Sequence, residues 1–241
     1  MSIKKFITLF CLFINLSLFC QTNALSSNFR FDFNGGFGYC LASQPEISTR
    51  DENYEAYTSF IHQLSWMKNL QTSLYYKLSK GSYLGLKYYF MNSSGSVKDI
   101  QFDTMDNHGI PVTLIGDLSE KQYVNYIGPS YMYADWLGYS KKWLCSYSLT
   151  TGYASYRCEE KNYMTNYLIT SHSIGLGIDL GIDYFITKPL SVGVKTGLFI
   201  AKFTNIVDYN GVDTQNTTLD SKNAINLSNV NLSIGVSYHF K

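Results

Sequence analysis

The chain has 241 residues, a formal net charge of +1 and a pI of about 7.6. Charged residues make up only 15% of it, whereas aromatic residues make up 16%, with 21 Tyr and 15 Phe. So many aromatic residues argue against intrinsic disorder. The near-neutral charge argues against a nucleic-acid partner, which would need a basic surface. A mean hydropathy of −0.10 also argues against a bundle of membrane helices.

The first 24 residues predict a secretory signal peptide. Lys4 and Lys5 are basic, residues 6–19 are apolar, and residues 22–24 offer a cleavage site ending in Ala24. Cleavage at Cys20 is the alternative. The apolar run is shorter than the roughly 18–20 residues that a spanning helix needs. We therefore expect an exported mature domain over residues 25–241.

Five cysteines fall to three when Cys11 and Cys20 leave with the signal peptide. An odd number in an exported protein does not fit a complete disulfide framework. The sequence leaves open whether Cys40 and Cys158 form a disulfide.

The mature sequence alternates between apolar and polar residues. Residues 230–240 show it best, because every even position holds a large apolar side chain and every odd position holds Asn, Ser, Gly or His. Strict alternation of this kind predicts a β-strand with one apolar face. Seven other segments follow the same rule: residues 29–39, 70–78, 84–90, 123–133, 145–153, 174–184 and 190–200. Pro129 makes the segment 123–133 the least regular, because proline cannot donate to a ladder.

The connections between these eight segments are alternately long and short. The long ones cover residues 41–65, 92–121, 157–172 and 203–229. Short turns at one end and long loops at the other are typical of an up-and-down transmembrane barrel. We therefore predict an all-β fold, an eight-stranded antiparallel barrel. The alternative has ten strands, with an extra hairpin drawn from residues 41–65 or 92–121.

The two faces of the strands indicate which side meets lipid. The polar face is rich in Gly and Ser and poor in charge, which suits a narrow lumen better than a water-exposed surface. The apolar face of the eight segments has no Lys, Arg, Asp or Glu, as lipid contact requires. Aromatic side chains near the strand ends predict two interfacial belts; they are Trp66, Trp136, Tyr139, Trp143, Tyr184 and Tyr238. A soluble, lipocalin-like barrel is the alternative.

With its signal peptide, eight alternating segments and apolar C-terminal series, the mature chain resembles the small outer-membrane barrels of Gram-negative bacteria, the porin-family group of OmpX-like and opacity-protein-like proteins. The resemblance implies residence in the outer membrane, contact with its lipid, and insertion by the barrel-assembly machinery. That machinery reads an aromatic residue at the end of the last strand in this group. Here Tyr238 and Phe240 are the matching residues, although Lys241 follows Phe240.

Seven charged residues fall on the face assigned to the lumen. They are Arg30, Asp32, Lys77, Lys87, Asp179, Asp183 and Lys195. Buried charges are costly unless they are paired. A hairpin turning at Thr187 would place Asp179 opposite Lys195, so we expect these two to form an ion pair. A lumen filled by side chains argues against a general diffusion pore, and a narrow channel is the alternative.

Nothing in the sequence predicts a cofactor, a metal site or catalysis. The four histidines lack metal-ligand spacing, and we expect them at the surface or rim. His172 and Ser173 are adjacent, so they point to opposite faces of a strand and are poorly placed to act together. A lipid-modifying enzyme embedded in the membrane is therefore only a second alternative. The long loops are the expected place for an extracellular ligand, which gives the protein a structural or surface-interaction role.

Overall fold

The computed structural model describes residues 27–42, 54–105, 111–162, 165–220 and 222–241. The predicted signal peptide lies outside the described residues, as do residues 43–53 of the first long connection. No helix among the described residues is long and apolar enough to cross a membrane.

The described elements are eleven strands and one helix. In chain order they are β1 (Phe29–Cys40), α1 (Tyr54–Ser65), β2 (Trp66–Ser79), β3 (Ser82–Met105), β4 (Pro111–Leu137), β5 (Trp143–Asn162), β6 (Thr165–Phe185), β7 (Leu190–Phe203), β8 (Asn205–Tyr209), β9 (Thr214–Thr218), β10 (Ile225–Asn226) and β11 (Asn229–Phe240).

Eight of these strands close into a ring. The order is β1-β2-β3-β4-β5-β6-β7-β11, and β11 pairs antiparallel with β1 from Phe29 opposite Phe240 to Cys40 opposite Asn229. Closure leaves no open edge in the ring, so every strand has two neighbours. The predicted eight-stranded antiparallel barrel is confirmed. We call the end with the three short turns the turn end, and the opposite end the loop end.

The ten-strand alternative is wrong, because the ring closes with eight strands, residues 54–65 form α1, and residues 92–105 and 111–121 extend β3 and β4. Within the connection of residues 92–121, expected as a loop, residues 92–105 and 111–121 pair as the distal part of β3 and β4, with a register shift between Val97 and Ile100. Residues 157–162 and 165–172 likewise lengthen β5 and β6. β3 and β4 therefore project well beyond the ring at the loop end.

Two further elements lie at the loop end. Helix α1 packs Phe60 and Leu64 against the β3–β4 hairpin, where they form a small core with Ile100 and Leu118. A Cβ on Gly95 would lie 3.0 Å from the Phe60 carbonyl oxygen, so the helix sits directly on β3. Strands β8 and β9 form a hairpin that pairs with β6. Neither the helix nor this hairpin was predicted.

Burial alternates along the ring strands as predicted. On β1, Phe31, Phe33 and Phe37 are exposed to the surroundings of the barrel, whereas Arg30 and Asp32 are completely buried. The outward face therefore carries the large apolar side chains, and the polar face lines the lumen.

Pairs of aromatic side chains in contact form two belts around the barrel. At the turn end these are Phe29 with Tyr76 and Phe240, Tyr133 with Tyr147, and Trp143 with Tyr184; at the loop end they are Tyr39 with Trp66, Phe90 with Tyr123, and Tyr153 with His172. Tyr39 lies ten residues beyond Phe29, about 33 Å along an extended strand. A strand tilt of about 40° reduces this to about 25 Å, the height of a transmembrane barrel's apolar band.

One predicted belt residue is misplaced. Trp136 is only 8% exposed and packs inside the barrel, with its ring 4.8 Å from that of Phe185. The alternation predicted for β4 ends before Trp136, so that pattern did not indicate which face its ring would take.

Pro129 is accommodated without a change of register. Strand β4 pairs with β5 at Ile127–Tyr153 and resumes at Ser130–Thr150, which leaves Gly128 and the proline out of that ladder. A short interruption of this kind lets a proline sit within a central strand.

Candidate functional site

The lumen holds six of the seven charges assigned to it. Arg30 and Asp32 are 0% exposed, and Asp183, Lys87, Asp179 and Lys195 are at most 8% exposed. Lys77 differs, because it is half-buried at the turn end of β2. The alternation therefore predicted six buried charges from the sequence, but not Asp135, which is 8% exposed near the turn end of β4.

Four of these residues form what we call the lower charge cluster, near the turn end. Arg30 donates from Nε to Asp32 Oδ1 at 2.7 Å and from Nη2 to Asp183 Oδ2 at 2.7 Å. Lys195 Nζ donates to the second oxygen of Asp32, also at 2.7 Å. The cluster has two cations and two carboxylates, so it is neutral as a unit.

Lys87 and Asp179 form a second unit, which we call the central pair. The Lys87 ammonium lies 2.6 and 2.7 Å from the two Asp179 oxygens, and Ser148 Oγ donates to the same carboxylate at 2.8 Å. The Lys87 ammonium also lies 5.5 Å from the centre of the Tyr89 ring, within the range of a cation–π contact.

The expected ion pair between Asp179 and Lys195 is wrong. The β6–β7 hairpin places Gly197 opposite Asp179 and Gly181 opposite Lys195. The turn is centred one residue later than predicted, which shifts the cross-strand register by two. Both side chains still face the lumen, but each meets a partner from across the barrel.

The loop-end half of the lumen is filled by an aromatic cluster, which the alternation of the strands did not predict. Its members are Tyr89, Tyr126, Tyr156, Phe199 and Phe203, all at most 4% exposed. The Phe199 ring lies 5.5 Å from Tyr89 and 5.1 Å from Tyr126, measured between centres. The predicted alternation already placed Tyr89 and Phe199 on the inward face. Their large size was the unused indication that this part of the lumen is filled.

A second apolar cluster occupies part of the turn end. Tyr75, Tyr83, Met132, Trp136 and Leu144 are buried there. The Tyr75 hydroxyl lies 3.0 Å from Ser130 Oγ, which satisfies it inside the lumen.

His239 lies next to this cluster, and its expected position at the rim is wrong. Its side chain is 4% exposed and points inward, where the ring lies 4.8 Å from Phe185 and Nε2 lies 3.3 Å from Ser191 Oγ. His172 faces outward instead, stacked on Tyr153.

Little free volume separates the two charged units. A cavity of about 10 Å³ lies between them, lined by residues that include Lys87, Asp179, Lys195, Tyr75 and Ser146. This is at the lower limit of the space that one water molecule occupies.

Cys40 and Cys158 both lie at the loop end of the lumen and carry free thiols. The Cys158 thiol donates to Glu120 Oε1 at 3.2 Å, and the Cys40 thiol contacts the Asn226 carbonyl at 3.7 Å. Cys145, on β5 near the turn end, also carries a reduced thiol.

Tyr238 and Phe240, the residues matched to the assembly signal, face outward at the turn end. Phe240 stacks on Phe29 at 5.4 Å between ring centres and contacts Tyr238 at 5.9 Å. Both side chains therefore belong to the turn-end belt, where β11 pairs with β1 and closes the barrel.

Solved structures share this architecture. A major outer membrane protein from Thermus thermophilus is 14% identical, with 89% of this chain and 100% of that chain covered and a TM-score of 0.52. The outer membrane protein OprG from Pseudomonas aeruginosa is 12% identical, with 90% and 98% covered and a TM-score of 0.51. The chain has the fold of an outer-membrane β-barrel.

Other comparisons add no activity to this barrel. The outer membrane protease OmpT from Escherichia coli is 13% identical over 91% of this chain and 99% of that chain, with a TM-score of 0.46. That similarity is too low to bear on catalysis. No family model matches the sequence, and no curated protein matches it.

Proposed function

We propose that the protein is an integral barrel of the bacterial outer membrane with a structural or surface-interaction role, and that its lumen does not conduct. The observation that supports this most is the filling of the lumen. The lower charge cluster, the central pair and the aromatic cluster follow one another along the barrel, with a cavity of about 10 Å³ between the two charged units.

The role then belongs to the loop end. Helix α1, the β3–β4 hairpin and the β8–β9 hairpin give that end ordered surfaces on a closed ring. Binding residues commonly lie on connecting segments held by a rigid scaffold. An extracellular ligand or partner would meet the protein there.

Conductance in planar bilayers tests the non-conducting lumen. We expect the purified protein to insert without producing discrete current steps, because ions would have to displace paired charges and packed rings. The variant Lys87→Gln/Asp179→Asn removes the central pair from the lumen. It should therefore change a current that passes through the lumen but not a leak around the protein. Steps in the wild type whose size changes in this variant would establish a channel and contradict the proposal.

The proposed role involves no catalysis. Ser173 Oγ contacts the backbone carbonyl of Ile174 at 3.4 Å, whereas the His172 ring stacks on Tyr153. Incubation with labelled lipid A or phospholipid should release no product, and turnover above that of heat-denatured protein would contradict this.

We also propose export by a cleaved signal peptide over residues 1–24 and insertion by the barrel-assembly machinery, which would read Tyr238 and Phe240. Phe240→Ser should slow the appearance of folded barrel in cells. Phe37→Ser removes another outward ring, 60% exposed, and should have a smaller effect. Equal effects would argue against a specific signal.

A further inference from the structure

A charged cleft of about 450 Å³ lies on the outward side of the barrel wall, near the loop end. It is bounded by β4, β5, β6 and the β8–β9 hairpin. Three cations line it: Lys121, Arg157 and Lys161. Its wall also contains Tyr209 and Leu168.

The cations face outward, away from the lumen. Lys121 has the same parity on β4 as Tyr123, and Arg157 and Lys161 have the same parity on β5 as Tyr153, which is 54% exposed on the lipid-facing wall. Alternate residues of a strand share one face. The cleft is therefore continuous with the surface that meets lipid.

The cleft begins at the level of the loop-end belt. Arg157 is the cross-strand partner of Tyr123, whose ring stacks on Phe90. The next outward pair along β4 and β5 is Lys121–Glu159, and Lys161 lies about 13 Å further along β5 than Arg157. Aromatic belts mark the boundary between the hydrocarbon and the headgroups. The three cations thus lie at headgroup height.

The cations are not fully neutralised by the protein. Arg157 donates to Glu159 at 2.7 Å, but both side chains are about half exposed, which makes this a weak pair. Among the described residues, Lys121 and Lys161 have no ion-pair partner within the salt-bridge distance. Glu160 is the other carboxylate at the cleft, so cations outnumber anions by three to two.

We propose that this cleft binds the phosphate of anionic lipid headgroups in the leaflet at the loop end. A guanidinium and two ammonium groups provide the charge-assisted donors that phosphate prefers. The lipid tails would then run along Tyr123 and Tyr153 on the barrel wall. This inference rests on the proposed membrane location.

Native mass spectrometry of the mature protein in neutral detergent tests the proposal. We expect phosphatidylglycerol to bind at least about tenfold more tightly than phosphatidylcholine, because only the first is anionic overall. Inorganic phosphate at the same concentration should not displace the lipid. Displacement by phosphate alone would contradict a lipid as the ligand.

Matched variants locate the binding. Lys121→Gln/Lys161→Gln should weaken phosphatidylglycerol binding by about fivefold for each cation removed, and Glu159→Gln should strengthen it by freeing Arg157. Lys141→Gln/Lys142→Gln makes the same charge change in the exposed β4–β5 turn at the opposite end and should leave binding unchanged. Equal weakening in both double variants, or no preference for the anionic lipid, would overturn the proposal.

Insertion is measured separately in lipid nanodiscs by quenching of Trp143 fluorescence with brominated lipid. Insertion without a preference for phosphatidylglycerol contradicts only the binding site. Absence of insertion contradicts the proposed membrane location itself.

Discussion

At the scale of single residues, the lumen charges form two neutral units. Arg30 and Lys195 share Asp32, whereas Lys87 holds Asp179 from across the barrel. Such pairs offset a large cost of desolvation, so losing one partner is more harmful than never having the pair. Asp32 is the residue on which the lower charge cluster most depends, because its two oxygens contact both cations.

Asp32→Asn should therefore destabilise the barrel by about 3–5 kcal/mol, since it leaves two buried cations with one carboxylate. The measurement is urea unfolding of the refolded barrel in lipid vesicles. Asp183→Asn is the control, because Arg30 keeps its contact with Asp32 in that variant. A smaller loss is expected there, and equal losses would contradict the shared role of Asp32.

The sequence predicted six of the buried charges but not which of them pair. Burial follows from strand parity, which is local. Pairing depends on the register of the β6–β7 turn and on how β3 faces β6 across the lumen, and neither is encoded within one strand. The size of Phe199 and Tyr126 had to be combined with the barrel's width before the aromatic cluster could be recognised.

At the scale of elements, ring closure depends on close contact between β1 and β11. A Cβ added to Gly235 on β11 would lie 2.1 Å from the Phe33 carbonyl oxygen, a distance that real side chains do not reach. The backbone of β11 would have to move away from β1 to accept any side chain there.

Gly235→Ala should therefore impair folding, with most of the protein losing the compact form that folded barrels show in unheated detergent gels. Gly177→Ala is the matched control, because its nearest neighbour would be Thr150 Cβ at 3.8 Å, an ordinary contact. Normal folding of the Gly235 variant would show that this contact is not needed for closure.

We expect docking of the β8–β9 hairpin at the loop end to depend on pH. Burial, together with the nearby carboxylates of Glu120 and Asp208, raises the pKa of Glu160 above its ordinary value of 4.5. Glu120 is its direct cross-strand partner, and Asp208 belongs to β8. The protonated form of Glu160 therefore favours docking of the hairpin.

Because the docked state has the raised pKa, its stabilisation is complete at low pH and is lost as the pH rises through that pKa. Hydrogen-exchange protection factors of the β8 amides should fall as the pH rises above the ordinary pKa of 4.5. Glu160→Gln should remove most of this dependence, and Asp213→Asn, in the exposed turn of the hairpin, should retain it. Unchanged dependence in the Glu160 variant would contradict this origin.

The sequence predicted the ring strands well and their extensions poorly. Inside the membrane one face meets lipid, so the apolar period is strict. Beyond the belts, the faces of β3, β4, β5 and β6 meet water or, in places, α1 and the β8–β9 hairpin. The apolar alternation is therefore lost there, although the strands continue. The β8–β9 hairpin did carry a signal, Asn210–Gly211, where Gly211 has a φ of +93°.

At the scale of the whole molecule, the protein is a closed barrel with large apolar and aromatic side chains on its outward face and a packed lumen, and α1 and the β8–β9 hairpin lie at its loop end. The three tryptophans sample the outside and the inside. Trp66 is 52% exposed in the loop-end belt, Trp143 is 46% exposed in the turn-end belt, and Trp136 is 8% exposed inside the barrel.

Quenching of single-tryptophan variants by brominated lipids tests this arrangement most directly. Each variant keeps one tryptophan and replaces the other two with Phe, in vesicles containing lipids brominated near the headgroup. The expected result is strong quenching of Trp66 and Trp143 and little quenching of Trp136. Quenching of Trp136 equal to that of the other two, or none at any position, would contradict a membrane-spanning barrel with this inward and outward assignment.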